Sequence, residues 1–251
     1  MIHFVGAGCG APDLITLRGK KHIESADVII YAGSLVNREL LEYVKKDCAL
    51  YDSAKMTLEE IISVISDAEA KGLTTVRLHT GDPSLYGAIG EQMVELDRLG
   101  IKYDITPGVS AFSGAAASLK AEYTLPDVSQ TVIITRAAGR TDMPDSESLR
   151  SLAAHGATMV LFLSTGLLDK VTADLIAGGY SPDTPAAIVY KASWKDEKVC
   201  RCTVGTLKQS ADENGITKTA LVAVGRFLKG SLSRSKLYDP SFSTEFREAS
   251  K

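Results

Sequence analysis

The sequence has little tryptophan, little cysteine, no long apolar run and no excess of positive charge. Trp194 is the one tryptophan in 251 residues. The four cysteines are Cys9, Cys48, Cys200 and Cys202, and no two have C-x-x-C spacing. That excludes the common zinc and dithiol motifs. The thiols read as reduced packing residues of a cytoplasmic protein, and Cys200 and Cys202, two apart in a strand-like run, should share one face. No apolar stretch approaches the roughly 20 residues of a membrane span. The start, "MIHFVGAGCG", lacks the basic head and longer apolar segment of a signal peptide. A formal net charge of −3 argues against a general nucleic-acid binder, which is usually basic. His3, His22, His79 and His155 have no ligand-like partner in spacing, and no Ser-His-Asp set is visible, so neither a metal site nor a covalent enzyme intermediate is expected.

What is present is a chain able to fill a core: 45% of residues are apolar and 24% charged, ordinary for a globular protein. Apolar β-rich runs alternate with segments of helical period. "IHFVG" reads as a strand, residues 12–26 as a helix with Pro12 in its first turn, and "DVIIY" as the next strand. Residues 57–72 are the clearest helix. Thr57 and Glu60 have capping-box spacing, and Leu58, Ile61, Ile62 and Ile65 form its apolar stripe. "TTVRLHT" and "IKYDIT" are further strands, with a helix from Ser84 to Gly100 between them. A second series begins at "TVIITR" and closes at "TALVAVG". This alternation predicts an α/β protein of mostly parallel sheets. The expected organisation is an N-terminal α/β domain over 1–113, a C-terminal α/β domain over 114–230 and a polar tail over 231–251.

"GAGCGA" at 6–11 fits G-x-G-x-x-A directly after a strand, the pattern of a dinucleotide site. The second strand, however, runs into Tyr31, Ala32 and Gly33, where such a site wants an acidic residue for the ribose. Pro12 and Asp13 also crowd the helix start. The loop therefore reads as a tight strand-to-helix turn.

"HTGDPSLYG" at 79–87 is explicable without a ligand: Gly81 turns the chain, Asp82 caps a helix and Pro83 fits its first position. Its location raises its interest, because loops at the carboxyl ends of parallel strands are where open sheets bind ligands. "PGVSAFSGAAA" follows the next strand, and its small residues leave room for something flat against the backbone.

Six stretches in order, "GAGCGAPDLITLRG", "ADVIIYAGSLV", "VRLHTGDPSLYGAIGEQ", "TPGVSAF", "LPDVSQTVIITRAAGRT" and "TPAAIVYKASWKDEKVCRCTV", make the chain resemble the S-adenosylmethionine-dependent tetrapyrrole methyltransferases, in the branch that makes cobalamin. The similarity runs from residue 1 to about 230. It implies two α/β domains with the cofactor in the cleft between them, usually a homodimer, and methyl transfer to carbon 11 of a precorrin-4-type macrocycle. Carried over by position, cofactor contacts fall on Thr80, Gly81, Asp82 and Leu85, on Ser110 and Ala111, on Ser164 and on Ala192. Cys9 is carried over as a cofactor contact too, at a position where the family more often has Pro, and Ala11 replaces an Asp. Uroporphyrinogen-methylating relatives carry an Asp where Gly33 stands, so a catalytic carboxylate is absent there. The catalytic residue is left unassigned, with Tyr86 and His79 within consideration as proton acceptors.

A precorrin is a polyanion, so a chain of net −3 needs a local cationic lining. Arg136 and Arg140 of "TRAAGRT" suit carboxylates through the planar guanidinium fork, with Lys191 and Arg18 as weaker candidates. The alternatives are the same fold acting at another ring carbon or on another substrate, a dinucleotide-dependent oxidoreductase built on "GAGCGA", and a tetrapyrrole carrier without catalysis.

Overall fold

The computed structural model describes residues 1–230 and 235–250, except the side chain of Ser34. It has two compact units. The first comprises Met1–Ala115 together with Lys191–Glu197; the second comprises Ala116–Tyr190 and the chain from Lys198 on. The division thus falls inside a helix, Ala111–Leu119, and a seven-residue turn far along the chain counts with the first unit.

The first unit is a five-stranded sheet with the order β3-β2-β4-β1-β5. Its strands are β1 (Ile2–Gly6), β2 (Val28–Tyr31), β3 (Ala49–Asp52), β4 (Thr75–His79) and β5 (Tyr103–Thr106), and every pairing is parallel. Ile2, Phe4, Val28 and Ile30 meet α2 (Leu58–Ala70) and α3 (Ile89–Leu99) through Ile61, Ile65, Ile89 and Leu96. Val5, Ile29, Val76 and Leu78 pack the opposite side, where Ile23 of α1 (Leu17–Ser25) closes the layer. Each such side chain contributes roughly 1.5–3 kcal/mol when fully buried.

The capping box of α2 forms as expected: Thr57 Oγ1 accepts from Glu60 N and Glu60 accepts from Thr57 N. The helix expected over 12–26 begins later. Pro12–Leu14 is a separate 3-10 turn, and Thr16 caps α1 by accepting from Gly19 N. β3 has no clear apolar run in sequence, because its residues are mostly exposed on an edge.

The second unit has the strand order β6-β7-β10-β8-β9. The strands are β6 (Val132–Arg136), β7 (Thr158–Phe162), β8 (Pro185–Tyr190), β9 (Lys198–Thr203) and β10 (Ala220–Val224). Among the described residues, five of the eight strand pairings in the two sheets are parallel, but in this sheet only β6–β7 is. The expectation of a mostly parallel sheet therefore does not extend to this unit. The reason is the short β8–β9 hairpin. It reverses the chain, so that helical crossovers still join strands of one direction, while β10 inserts between β7 and β8 and β9 takes the edge, both running the other way. Met159, Leu161, Ile188 and Val222 pack under Leu168, Val171 and Leu175 of the helix Leu168–Ala177. The helix Leu207–Glu213 adds Leu207 and Ala211.

Cys200 and Cys202 both face this core, and burial raises both thiols, Cys202 to about 11. Of the tail, residues 231–234 and 251 lie outside the described residues. Lys236–Tyr238 forms a 3-10 turn, and Arg247 donates to the carbonyls of Leu237, Asp239 and Phe242. No helix of the described residues is long and apolar enough to cross a membrane.

Candidate functional site

β4, β1 and β5 are neighbours in the first sheet, so the loops at their carboxyl ends meet. Ala7 N donates to His79 O (2.7 Å), Gly8 N to Gly81 O (3.2 Å) and Gly81 N to Gly8 O (2.9 Å). Glycine is required at the junction. A Cβ on Gly108 would lie 2.1 Å from Gly81 O, and one on Gly6 2.5 Å from Gly108 N.

Asp82 ties this junction together, in a different way from the expected helix cap. The chain turns at 83–86 and α3 starts only at Ile89. Asp82 Oδ1 instead accepts from Ser84 N at 2.9 Å and from the Ser84 hydroxyl, and Oδ2 accepts from Gly108 N at 2.9 Å. One carboxylate thus holds the β4 and β5 loops to each other. Burial pushes its pKa up, but the Ser84 hydroxyl and the N–H groups of Gly108 and Ser84 outweigh that and leave it below the usual range. Oδ2 keeps acceptor capacity for a ligand donor.

The turn after Asp82 is strained. Tyr86 (φ 57°) and Ala88 (φ 49°) are left-handed without being glycine, a conformation that persists only when its surroundings enforce it. The support comes from below. Arg77 on β4 is buried, and its Nε donates to Gln92 Oε1 (3.1 Å) and its Nη1 to Ile30 O (3.1 Å). Gln92 Nε2 in turn donates to Ala88 O (3.0 Å). Burial lowers Arg77 to about 10, so it stays charged at neutral pH. His79, two residues on, is buried with Nε2 unpartnered. Burial, and then the nearby Arg77 charge, push it down to about 3.

The 191–197 turn packs on the glycine-rich loop. Ala11 N donates to Ser193 Oγ (2.9 Å), Cys9 Sγ lies 3.3 Å from the same oxygen, and Asn37 Nδ2 donates to Gly10 O (3.0 Å). Buried Ala192 and Cys9 both border Gly114, where a Cβ would lie 2.7 Å from Cys9 Sγ and 3.4 Å from the Ala192 methyl. Cys9, Gly81, Asp82, Ser110, Ala111 and Ala192 therefore stand in or beside one set of small-residue loops, with Thr80 exposed at the rim and Leu85 half-buried. The N–H groups of Ala7, Gly8 and Ala11 are taken up by His79 O, Gly81 O and Ser193 Oγ.

The remaining residues singled out in the sequence are each described within their own unit. In the second unit Ser164 is fully buried, accepting from Ala137 N (2.8 Å) and donating to Phe162 O (2.6 Å), so its hydroxyl is taken up by main chain. Arg136 donates to the carbonyls of Ala137, Thr141 and Asp142 and shapes the loop that carries Arg140. Arg140 is exposed on that loop. Lys191, in the first unit, pairs with Asp196 at 2.6 Å.

A family model for tetrapyrrole (corrin/porphyrin) methylases matches residues 1–208. The chain belongs to the tetrapyrrole methylases. Among similar members, the cobalt-precorrin-4 C(11)-methyltransferase of Methanocaldococcus jannaschii is 56% identical over 248 residues, 98% of this chain and 96% of its own. The precorrin-4 C(11)-methyltransferase of Pseudomonas aeruginosa is 44% identical over 238 residues, 94% of each. The X-ray structure of a cobalt-precorrin-4 methyltransferase covers 90% of this chain and 95% of its own with a TM-score of 0.89 at 47% identity.

Within this tetrapyrrole methylase, Gly33 is demanded by space. It has φ 56°, and a Cβ there would lie 2.7 Å from that of Ala54 and 3.2 Å from Asp52 Oδ1. Sequence reading missed Asn37, Arg77, Gln92, Ser193 and Trp194. Only a buried-looking arginine inside the apolar run "TTVRLHT" offered a signal. It also missed a histidine pair. His3 and His22 stack with ring centroids 3.9 Å apart, and His3 Nδ1 bonds Asp104 Oδ1 at 2.8 Å. The three potential ligand atoms, one each from His3, His22 and Asp104, lie within 4.8 Å of one another.

Proposed function

We propose that the chain transfers a methyl group from S-adenosylmethionine to carbon 11 of precorrin-4, or of its cobalt-bearing form, in cobalamin biosynthesis. It acts in the cytoplasm as a homodimer, the form the resemblance implies. The observation that carries the site assignment is the Asp82 carboxylate spanning two loops walled by small residues. Asp82 accepts from the ammonium or ribose end of the cofactor. Gly81, Ser110, Ala111, Cys9 and Ala192 supply close backbone and flat apolar surface, and Thr80 and Leu85 border it. Arg140 meets substrate carboxylates, while Arg136 holds the loop on which it stands.

When bound, the cofactor would supply an electrophilic methyl on a sulfonium: a ring carbon of the macrocycle would bond that methyl in line as the S–CH3 bond breaks and the neutral thioether S-adenosylhomocysteine leaves. The residues around it act by placement. Holding two reactants in line can supply up to about 7–11 kcal/mol of barrier reduction. An apolar wall favours a transition state in which the sulfonium charge disperses. His79 does not serve as a general base: a group held at about 3 has little proton affinity at neutral pH.

Calorimetry with S-adenosylhomocysteine and with NADH tests the cofactor, and the position of a labelled methyl in the product tests the regiochemistry. Binding of the homocysteine product without NADH, a label at carbon 11, and inversion at a chiral methyl are the expected outcomes. NADH binding alone would overturn the reading, and retention at the methyl would overturn direct displacement.

A further inference from the structure

We infer that Ser193 and Trp194 are positioning residues: they clasp the 191–197 turn onto the glycine-rich loop and so hold Ala192 in the cofactor site. This rests on the site reading given above. Ala192 lies between two left-handed residues, Lys191 (φ 47°) and Ser193 (φ 67°). Neither is glycine, and each such residue lowers the population of its conformation by a factor of about 5–30. Left to itself, the turn would relax and carry Ala192 away.

Several contacts oppose that. Trp194 lies against Gly10, where an added methyl would sit 2.1 Å from indole Cδ1 and 2.6 Å from Ala192 O. Ser193 Oγ accepts from Ala11 N at 2.9 Å. Ser193 N donates to Glu197 Oε2 at 2.5 Å, closing the turn on itself. Lys191 Nζ stands 5.1 Å above the indole ring and 2.6 Å from Asp196 Oδ2. Lys195 reaches Glu39 at 2.5 Å, on the segment whose Asn37 holds Gly10 O. The glycine at position 10 is therefore a socket for the indole.

The consequence is a population effect. If the clasp opens, only a fraction of molecules presents Ala192, and the apparent cofactor affinity falls by that fraction. Saturating cofactor restores the population, so turnover at saturation is preserved.

The test uses the full chain and its Gly10→Ala, Ser193→Ala, Trp194→Phe and Trp194→Ala variants. Binding of S-adenosylhomocysteine is measured by calorimetry, and kcat and KM for S-adenosylmethionine by turnover of precorrin-4. Trp194→Ala and Gly10→Ala are expected to bind about tenfold more weakly or worse. Ser193→Ala should lose about three- to tenfold, the value of one neutral hydrogen bond, and Trp194→Phe should stay near wild type. KM should rise in step while kcat holds. Because Trp194 is the chain's one tryptophan, its emission should shift to the red in Gly10→Ala. Trp194→Ala and Gly10→Ala together should cost less than the product of their single effects, since they share the indole contact. If Trp194→Ala does not fold, Gly10→Ala and Ser193→Ala carry the test. Wild-type affinity in these variants, or a loss of kcat with affinity unchanged, overturns the clasp and leaves the cofactor reading standing. A wild-type chain that does not bind S-adenosylhomocysteine overturns that reading and the inference with it.

Discussion

His79 should make the first unit lose stability steeply in mild acid, and replacing it with leucine should remove that loss. The side chain is 3% exposed, its Nε2 has no partner, and its pKa falls from 6.5 to about 3. A histidine whose folded pKa is depressed stabilises the fold fully above its unfolded pKa. That contribution is lost as pH falls from 6.5 towards 3. At about 1.4 kcal/mol per pH unit the whole effect is on the order of 5 kcal/mol, of which about half disappears by pH ~4.5. At neutral pH His79→Leu removes an orphaned polar atom, worth about 1–3 kcal/mol, and loses some packing against Phe4, whose ring centroid lies 6.0 Å away. The two should leave the variant within about 1 kcal/mol of wild type.

Trp194 stands in the same unit, so its fluorescence reports urea unfolding there. Midpoints measured between about pH 7.5 and 4.5 give the difference between the two proteins, in which titration of shared carboxylates cancels. The difference should grow by about 1 kcal/mol per pH unit below 6.5, in favour of the variant. Parallel curves would refute the argument. Turnover of His79→Ala should fall by less than about a hundredfold, as expected of a residue that is not the base.

Asp82→Ala should weaken S-adenosylhomocysteine binding by about one to two orders of magnitude, because it removes a charged acceptor worth roughly 1.5–3 kcal/mol and releases Gly108 N; calorimetry checks it, and unchanged affinity would sink the loop-tie. Arg77→Met and Gln92→Leu should each lower cofactor affinity, and together by less than the product of the single effects, since they act through one relay to Ala88; full additivity would show that no relay exists. Arg140→Ala should raise the KM for the tetrapyrrole about tenfold or more with cofactor affinity unchanged, whereas Arg136→Ala should also loosen the 137–142 loop, visible as faster amide exchange there.

Strong local signals were legible: the capping box at Thr57 and Glu60, the apolar strands of both series, and the resemblance carried by "HTGDPSLYG" and "TRAAGRT". The start of α3 was not. Asp-Pro after glycine satisfies every local rule for a helix start, yet the Asp82 side chain bonds Ser84 and, 26 residues away, Gly108. A competing partner from the loop after another strand outweighs a local cap. The second sheet misled for a related reason: alternation of strands and helices records which strands run the same way, but not which become neighbours.

Local chemistry by itself determined where strands and helices could form, because periodicity and capping act within a few residues, and it marked the loops rich in small residues. Tertiary structure alone decided that Ser193 and Trp194 close on Gly10, that Arg77 supports Ala88 through Gln92, and that Arg136 spends its guanidinium on carbonyls of its own loop. Those choices depend on contacts between strand ends and turns distant along the chain. Residue type shows what a side chain is able to bond, and only the packed fold shows which partner reaches it first.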